Sequence, residues 1–186
     1  MCYNGNMGIR DREIERIVKY ANGLGVKVIW KKYKRGDDGA SWHLDGSAIE
    51  MYVWPDKSKT QIILDFIHEL GHHMAWVYSG RKNDLKTDRA YELDGARGKK
   101  DPPISKAQRK IIYEAEKYDS QYRDQIFKEL GIKIPKYRLD ADKEYDFWIY
   151  RRYYLTGKIP TEKEMRVKRR ELIEKHRRRS EAKDGV

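Results

Sequence analysis

Residues 65–76 read DFIHELGHHMAW, and no other stretch restricts the fold of this chain as strongly. Ile63, Phe66, Ile67, Leu70, Met74 and Ala75 recur at helical spacing, as expected of a helix seated in a core. Ser58-Lys59-Thr60-Gln61 has the pattern of a capping box, so the helix is expected to open there and run to about Tyr78. Gly71 removes a side chain where a neighbouring element can pack close. Three histidines and one buried-looking acid, Glu69, share this apolar helix with Asp65.

His68 and His72 are four residues apart and so lie on one face, with Cβ atoms about 5–6 Å apart. Two imidazoles so placed can each give one nitrogen to a single Zn²⁺ at about 2.0–2.1 Å. Glu69 projects beside the pair, where it can take a proton from a water that the metal has made acidic. This is the logic of His-Glu-x-x-His. His73 points off that face and reads as a solvated or hydrogen-bonded residue.

Catalytic zinc usually takes three protein ligands and a water. No further histidine follows at a suitable spacing, so the third ligand is expected to be an acid. Glu116 and Glu114 lie in IIYEAEKYDSQY, and Glu92 lies in RAYELDG. The apolar face of the first segment is read as Ile111, Ala115, Tyr118, Asp119 and Tyr122. Glu116 flanks it on the same side as Asp119, and Asp119 could stand behind a zinc-bound histidine and hold its ring in place. Glu116 is therefore preferred, with Glu114 and Glu92 as alternatives.

Around this helix the pattern is α+β: a small antiparallel or mixed sheet in front, further helices behind. Ile14, Ile17, Val18 and Ala21 share one face of a first helix. Val26–Tyr33 alternates as a strand. SWHLDGSAIEMYVW reads as a hairpin turning at Asp45-Gly46, with Ala48–Trp54 as its second strand. Residues 1–8 are expected to fray. Residues 80–104 read as a long loop, with one short helix around Leu85–Leu93. Ser105–Gln108 caps a helix expected to run to Leu130 and end at Gly131. An aromatic helix is expected over Ala141–Leu155 and a basic one from Thr161. Residues 1–157 are read as one domain and 158–186 as a basic arm.

The chain has 186 residues, a formal charge of +11 and a pI near 9.5, which favours polyanions or an acidic protein partner. The tail KEMRVKRRELIEKHRRRSEAK reads as a solvated helix with ion pairs Glu164–Lys168, Glu171–Lys175 and Glu174–Arg178, or as an arm for nucleic-acid phosphates. The aromatic helix reads as core packing. One cysteine, Cys2, excludes an intrachain disulfide and fits a reducing compartment. No signal-like segment and no apolar run near 18 residues is seen, so the expectation is a cytoplasmic protein without a membrane span.

HELGH with a downstream acid resembles the zincin metallopeptidases, in the gluzincin-like sense. The chain more closely resembles the ImmA/IrrE-type peptidases of phages and mobile elements. VKVIWKKY, SAIEMYVW, HELGH and EKYD carry the resemblance, over about residues 10–130. It implies zinc held by His68, His72 and Glu116, with Glu69 as general base. It also implies an endopeptidase acting on a protein or peptide inside the cell. In such folds a strand beside the active helix holds the substrate as an added strand, and Ala48–Trp54 is expected to do so. The oxyanion stabiliser is not identifiable; Tyr113, Tyr118 and the arginines of the third helix are candidates. The alternative is a non-proteolytic regulatory module that binds nucleic acid through the tail.

Overall fold

The computed structural model describes residues 11–32, 39–80, 90 and 104–184. Cys2, residues 1–8, Tyr33, Glu92 and the short helix expected around Leu85–Leu93 lie outside these, apart from Ala90, which is helical and buried. The fold is α+β. Among the described residues the elements are α1 (Arg12–Gly23), β1 (Lys27–Lys32), β2 (Ala40–Trp42), β3 (Ala48–Val53) and α2 (Lys59–Tyr78). Then follow α3 (Lys106–Asp119), α4 (Tyr122–Leu130), α5 (Lys136–Thr156) and α6 (Glu162–Asp184).

The sheet has the order β1-β3-β2. β3 pairs with β1 in parallel and with β2 antiparallel, so β3 is the centre strand and not an edge. The expectation that Ala48–Trp54 could receive a substrate strand is thereby overturned, because both its ladders are occupied. The hairpin forms, but its loop is longer than a two-residue turn: the His43 amide bonds the Ala48 carbonyl at 2.9 Å, leaving Leu44–Ser47 between them. Gly46 has φ 71° and lies on Trp76, whose ring a Cβ there would strike. A residue with a side chain is excluded on both counts.

α2 runs behind the sheet. Ile63, Phe66, Ile67 and Leu70 meet Ile14 and Ile17 of α1, Ile49 and Met51 of β3, and Ile126 of α4 in one core. Each such side chain contributes about 1.5–3 kcal/mol by leaving water. Ser58 caps α2, accepting from the Gln61 amide at 3.2 Å, but the Gln61 side chain turns to Asp65 instead of closing the box. Buried Lys57 pairs with Asp65 at 2.7 Å and donates to the Gly39 and Tyr52 carbonyls, tying the start of α2 to the hairpin.

Past the long loop, the capping box at Ser105 and Gln108 is complete. The single helix expected from there to Leu130 is two, broken at Ser120-Gln121; Gly131 ends the second in the left-handed region. The Ser120 hydroxyl bonds the Lys117 carbonyl at 2.8 Å, offering the chain an alternative to continued helix. α5 opens at Lys136, earlier than expected, with Pro135 at its N-cap and Leu139 of its first turn packed on the main core. Lys136 pairs there with Asp140.

α6 lies along α5 with Leu172 buried against Ala141 and Tyr145. Of its expected ion pairs, Glu174–Arg178 forms at 2.7 Å. Glu164 instead binds Arg152, and Lys175 binds Glu144 of α5. No helix among the described residues is long and apolar enough to cross a membrane.

Candidate metal centre

Helical periodicity places His68 and His72 one turn apart on the side of α2 that faces α3. Their Nε2 atoms are 3.3 Å apart. Glu116 reaches in from α3, with Oε2 3.5 Å from each of those nitrogens. The buried stripe of α3 runs through Ile112 and Glu116, not through the expected Ile111, Ala115 and Tyr118; Tyr118 is exposed. Glu114 is exposed, on the opposite side from the histidines.

Behind each histidine stands an acid. His72 Nδ1 meets Asp119 Oδ2 at 2.5 Å, as the sequence led one to expect. His68 Nδ1 lies 3.5 Å from Asp146 Oδ2, and the sequence reading had no reason to single out that residue. Burial raises the hydroxyl pKa of Tyr150, a helical turn beyond Asp146, and the nearby charge of Glu116 adds to it. Of the earlier tyrosine candidates, Tyr113 stacks on Tyr154, and the Tyr118 hydroxyl pairs with that of Tyr122.

Trp42 is a further unforeseen contributor. Its ring stacks on His72 at 6.1 Å between centroids, and its indole N–H points to His73 Nδ1 at 3.4 Å. Its backbone amide lies near Glu69 and helps lower that carboxyl, the smallest of the influences on it. His73 is wholly buried, with Nε2 3.4 Å from the Leu24 carbonyl, so it braces α2 rather than meeting solvent.

Electrostatically the cluster calls for positive charge. Burial pushes His68 and His72 down, but the surrounding carboxylates outweigh it: Asp146 and Glu116 for His68, Glu116 and Asp119 for His72. The net result lifts His68 well above its ordinary value and His72 to about 9. Burial raises Glu69, and the Glu116 charge adds to it, against the lowering effects of the two histidines and the Trp42 amide. A dication would answer the same demand that protons answer here.

The donor set fits such an ion. Ligands about 2.0–2.1 Å from a tetrahedral zinc lie about 3.3–3.4 Å from one another. The three atoms here stand 3.3, 3.5 and 3.5 Å apart. Two imidazoles and one carboxylate, with room for a water, are the ligands of one class of catalytic zinc. One ligand atom from each of His68, His72 and Glu116 lies within 4.8 Å of the other two.

Ion binding must displace the histidine protons, which sets a pH dependence. Below about pH 9 the His72 proton competes with the metal, so zinc affinity should tighten as pH rises. Between pH 6 and 8 the expected gain is about tenfold per pH unit for each proton released, one or two in number. Titration in metal buffers checks this; a flat profile would contradict it. The stability of the metal-free protein moves the opposite way. A raised histidine pKa stabilises the fold fully below about 6.5, and that contribution is lost as pH climbs through about 9.

Comparison with known proteins gave no match to the chain: no family model, no curated protein and no solved structure.

Proposed function

We propose that the protein is a zinc-dependent endopeptidase of zincin type, similar to the ImmA/IrrE peptidases. One observation carries the reading: three ligand atoms at the mutual spacing of a tetrahedral ion, with a buried carboxylate of raised pKa beside them. A Zn²⁺ held by His68, His72 and Glu116 would supply a Lewis acid that lowers the pKa of water toward 7 and polarises a carbonyl.

The chain's own residues would do the rest. Glu69 takes the proton from the attacking water and passes it to the leaving amine. Burial favours this, because a carboxylate with a raised pKa is the stronger base. The Trp42 amide and the two histidines hold it in the ionised form needed to start. Asp119 fixes the His72 ring by accepting from Nδ1, leaving Nε2 for the ion.

A peptide would be held by β2. The Gly39 carbonyl and the His43 amide bond to β3, so by strand alternation Ala40 and Trp42 direct their backbone groups to the other edge of β2, which no strand among the described residues pairs. That edge passes Glu69 and His72, and an extended chain added there would run past the site.

The test is metal content by mass spectrometry on purified protein, beside His68→Ala and Glu116→Ala. About one zinc per chain in the wild type, lost in both variants, is the expected result. No zinc in the wild type after reconstitution would end the reading. Zinc retained in Glu116→Ala would remove Glu116 from the ligand set.

A further inference from the structure

Asp142, Asp146 and Tyr150 stand at four-residue intervals on α5 and so share one face. Each is engaged with something that bears on the metal centre. Asp142 pairs with the guanidinium of Arg123, a wholly buried side chain of α4. Asp146 Oδ2 lies 2.6 Å from Arg123 Nη1 and 3.5 Å from His68 Nδ1, so one oxygen serves both. Tyr150 feels the charge of Glu116.

Resting on the metal centre proposed above, we infer that Asp146 is a positioning residue for His68, itself held in place by Arg123. Imidazole has two nitrogens, and its ring can turn over or change tautomer. An ion bound at Nε2 needs the proton on Nδ1 and the ring kept in plane with the ion. The carboxylate at Nδ1 selects that state, as Asp119 does for His72. A free aspartate on a helix would choose among rotamers. Arg123 prevents this, because its Nη1 fixes Asp146 Oδ2 while its Nη2 is anchored on Asp142. The two histidines of one helical turn are thus braced from different directions, His72 from α3 and His68 from α5. Residues far along the chain then set the affinity of a site whose ligands all lie before residue 117.

Zinc dissociation constants from competition with a chromogenic chelator test this on the full chain. Asp146→Asn should weaken zinc by about 10–100-fold, with Asp146→Glu recovering part of the loss. Glu144→Gln breaks a pair of the same helix with Lys175 and His176 of α6 and touches neither Arg123 nor His68. It should leave zinc affinity within about threefold. Nitrogen-15 spectra of zinc-loaded wild type should show His68 protonated at Nδ1 and coordinated through Nε2. That measurement stands even where a variant does not fold. Wild-type affinity in Asp146→Asn would overturn the assignment. So would an equal loss of zinc in Glu144→Gln, or coordination of His68 through Nδ1. A wild type that binds no zinc would instead remove the metal centre itself.

Discussion

Glu69→Gln should bind zinc like the wild type and fall in peptide hydrolysis by about 10²–10⁴-fold, the range for loss of a general base. The side chain keeps its shape, and its carbonyl oxygen still faces the Trp42 amide. What it loses is the ability to take a proton at neutral pH. The fold should not suffer. Glu69 is buried with Glu116's charge nearby, so a neutral amide relieves both a desolvation cost and a like-charge repulsion. Melting of the metal-free variant should therefore match or exceed the wild type. Cleavage of a denatured-protein or peptide-library substrate, read by mass spectrometry on the zinc-loaded proteins, is the assay. Equal turnover by both would show that Glu69 is not the base. Zinc in both with turnover in neither would favour a regulatory module over a peptidase.

The parts of this site that a sequence shows are those fixed by local geometry. His68, Glu69 and His72 follow from the helical repeat once the apolar residues of α2 set its phase. The capping serine and the closing Gly131 mark their helix ends for equally local reasons. Glu116 was half visible. Its helix was plain, but the phase of the buried face was misjudged because Tyr118, an aromatic residue, sits outside it. Strand order was not visible: nothing in VKVIWKKY says that it will pair in parallel with β3, since that pairing joins segments separated by the whole hairpin.

Asp146, Tyr150 and Arg123 were hidden for another reason. α5 buries Asp142 and Tyr145 as readily as Ala141, so its pattern shows no clean apolar stripe against which an inward acid would stand out. An acid there looks like any helix-surface acid until Arg123 and His68 are placed against it. Trp42 escaped notice because its work is split between a ring, an indole nitrogen and a backbone amide, and no residue pattern encodes the last of these.

Gly71→Val should cost the site most of its metal affinity through packing alone, by about 100-fold or more if Glu116 is withdrawn. Gly71 lies between the two histidines, and α3 crosses α2 there so closely that a Cβ would stand 3.0 Å from the Asp119 carbonyl oxygen. That oxygen belongs to backbone, so it moves only if the end of α3 moves. Arg123 Cγ, 3.7 Å away on the same side, is buried and pinned by two aspartates. Overpacking of this kind costs about 1–3 kcal/mol, and the cheapest relief is to push α3 off α2. Such a shift carries Glu116 and Asp119 away from His68 and His72 together. Gly71→Ala separates the contributions. Its single Cβ asks α3 to yield by only a few tenths of an ångström, while replacing a mid-helix glycine by alanine returns roughly 1 kcal/mol of helix propensity. The alanine variant should melt near the wild type and bind zinc more weakly by a smaller factor than valine does. Zinc affinities ordered glycine, alanine, valine, with melting temperatures that do not follow that order, would show that close approach of the two helices serves the metal centre. Unchanged zinc binding in Gly71→Val would mean that α3 can retreat without taking Glu116 with it, and the spacing at Gly71 would then serve the core alone.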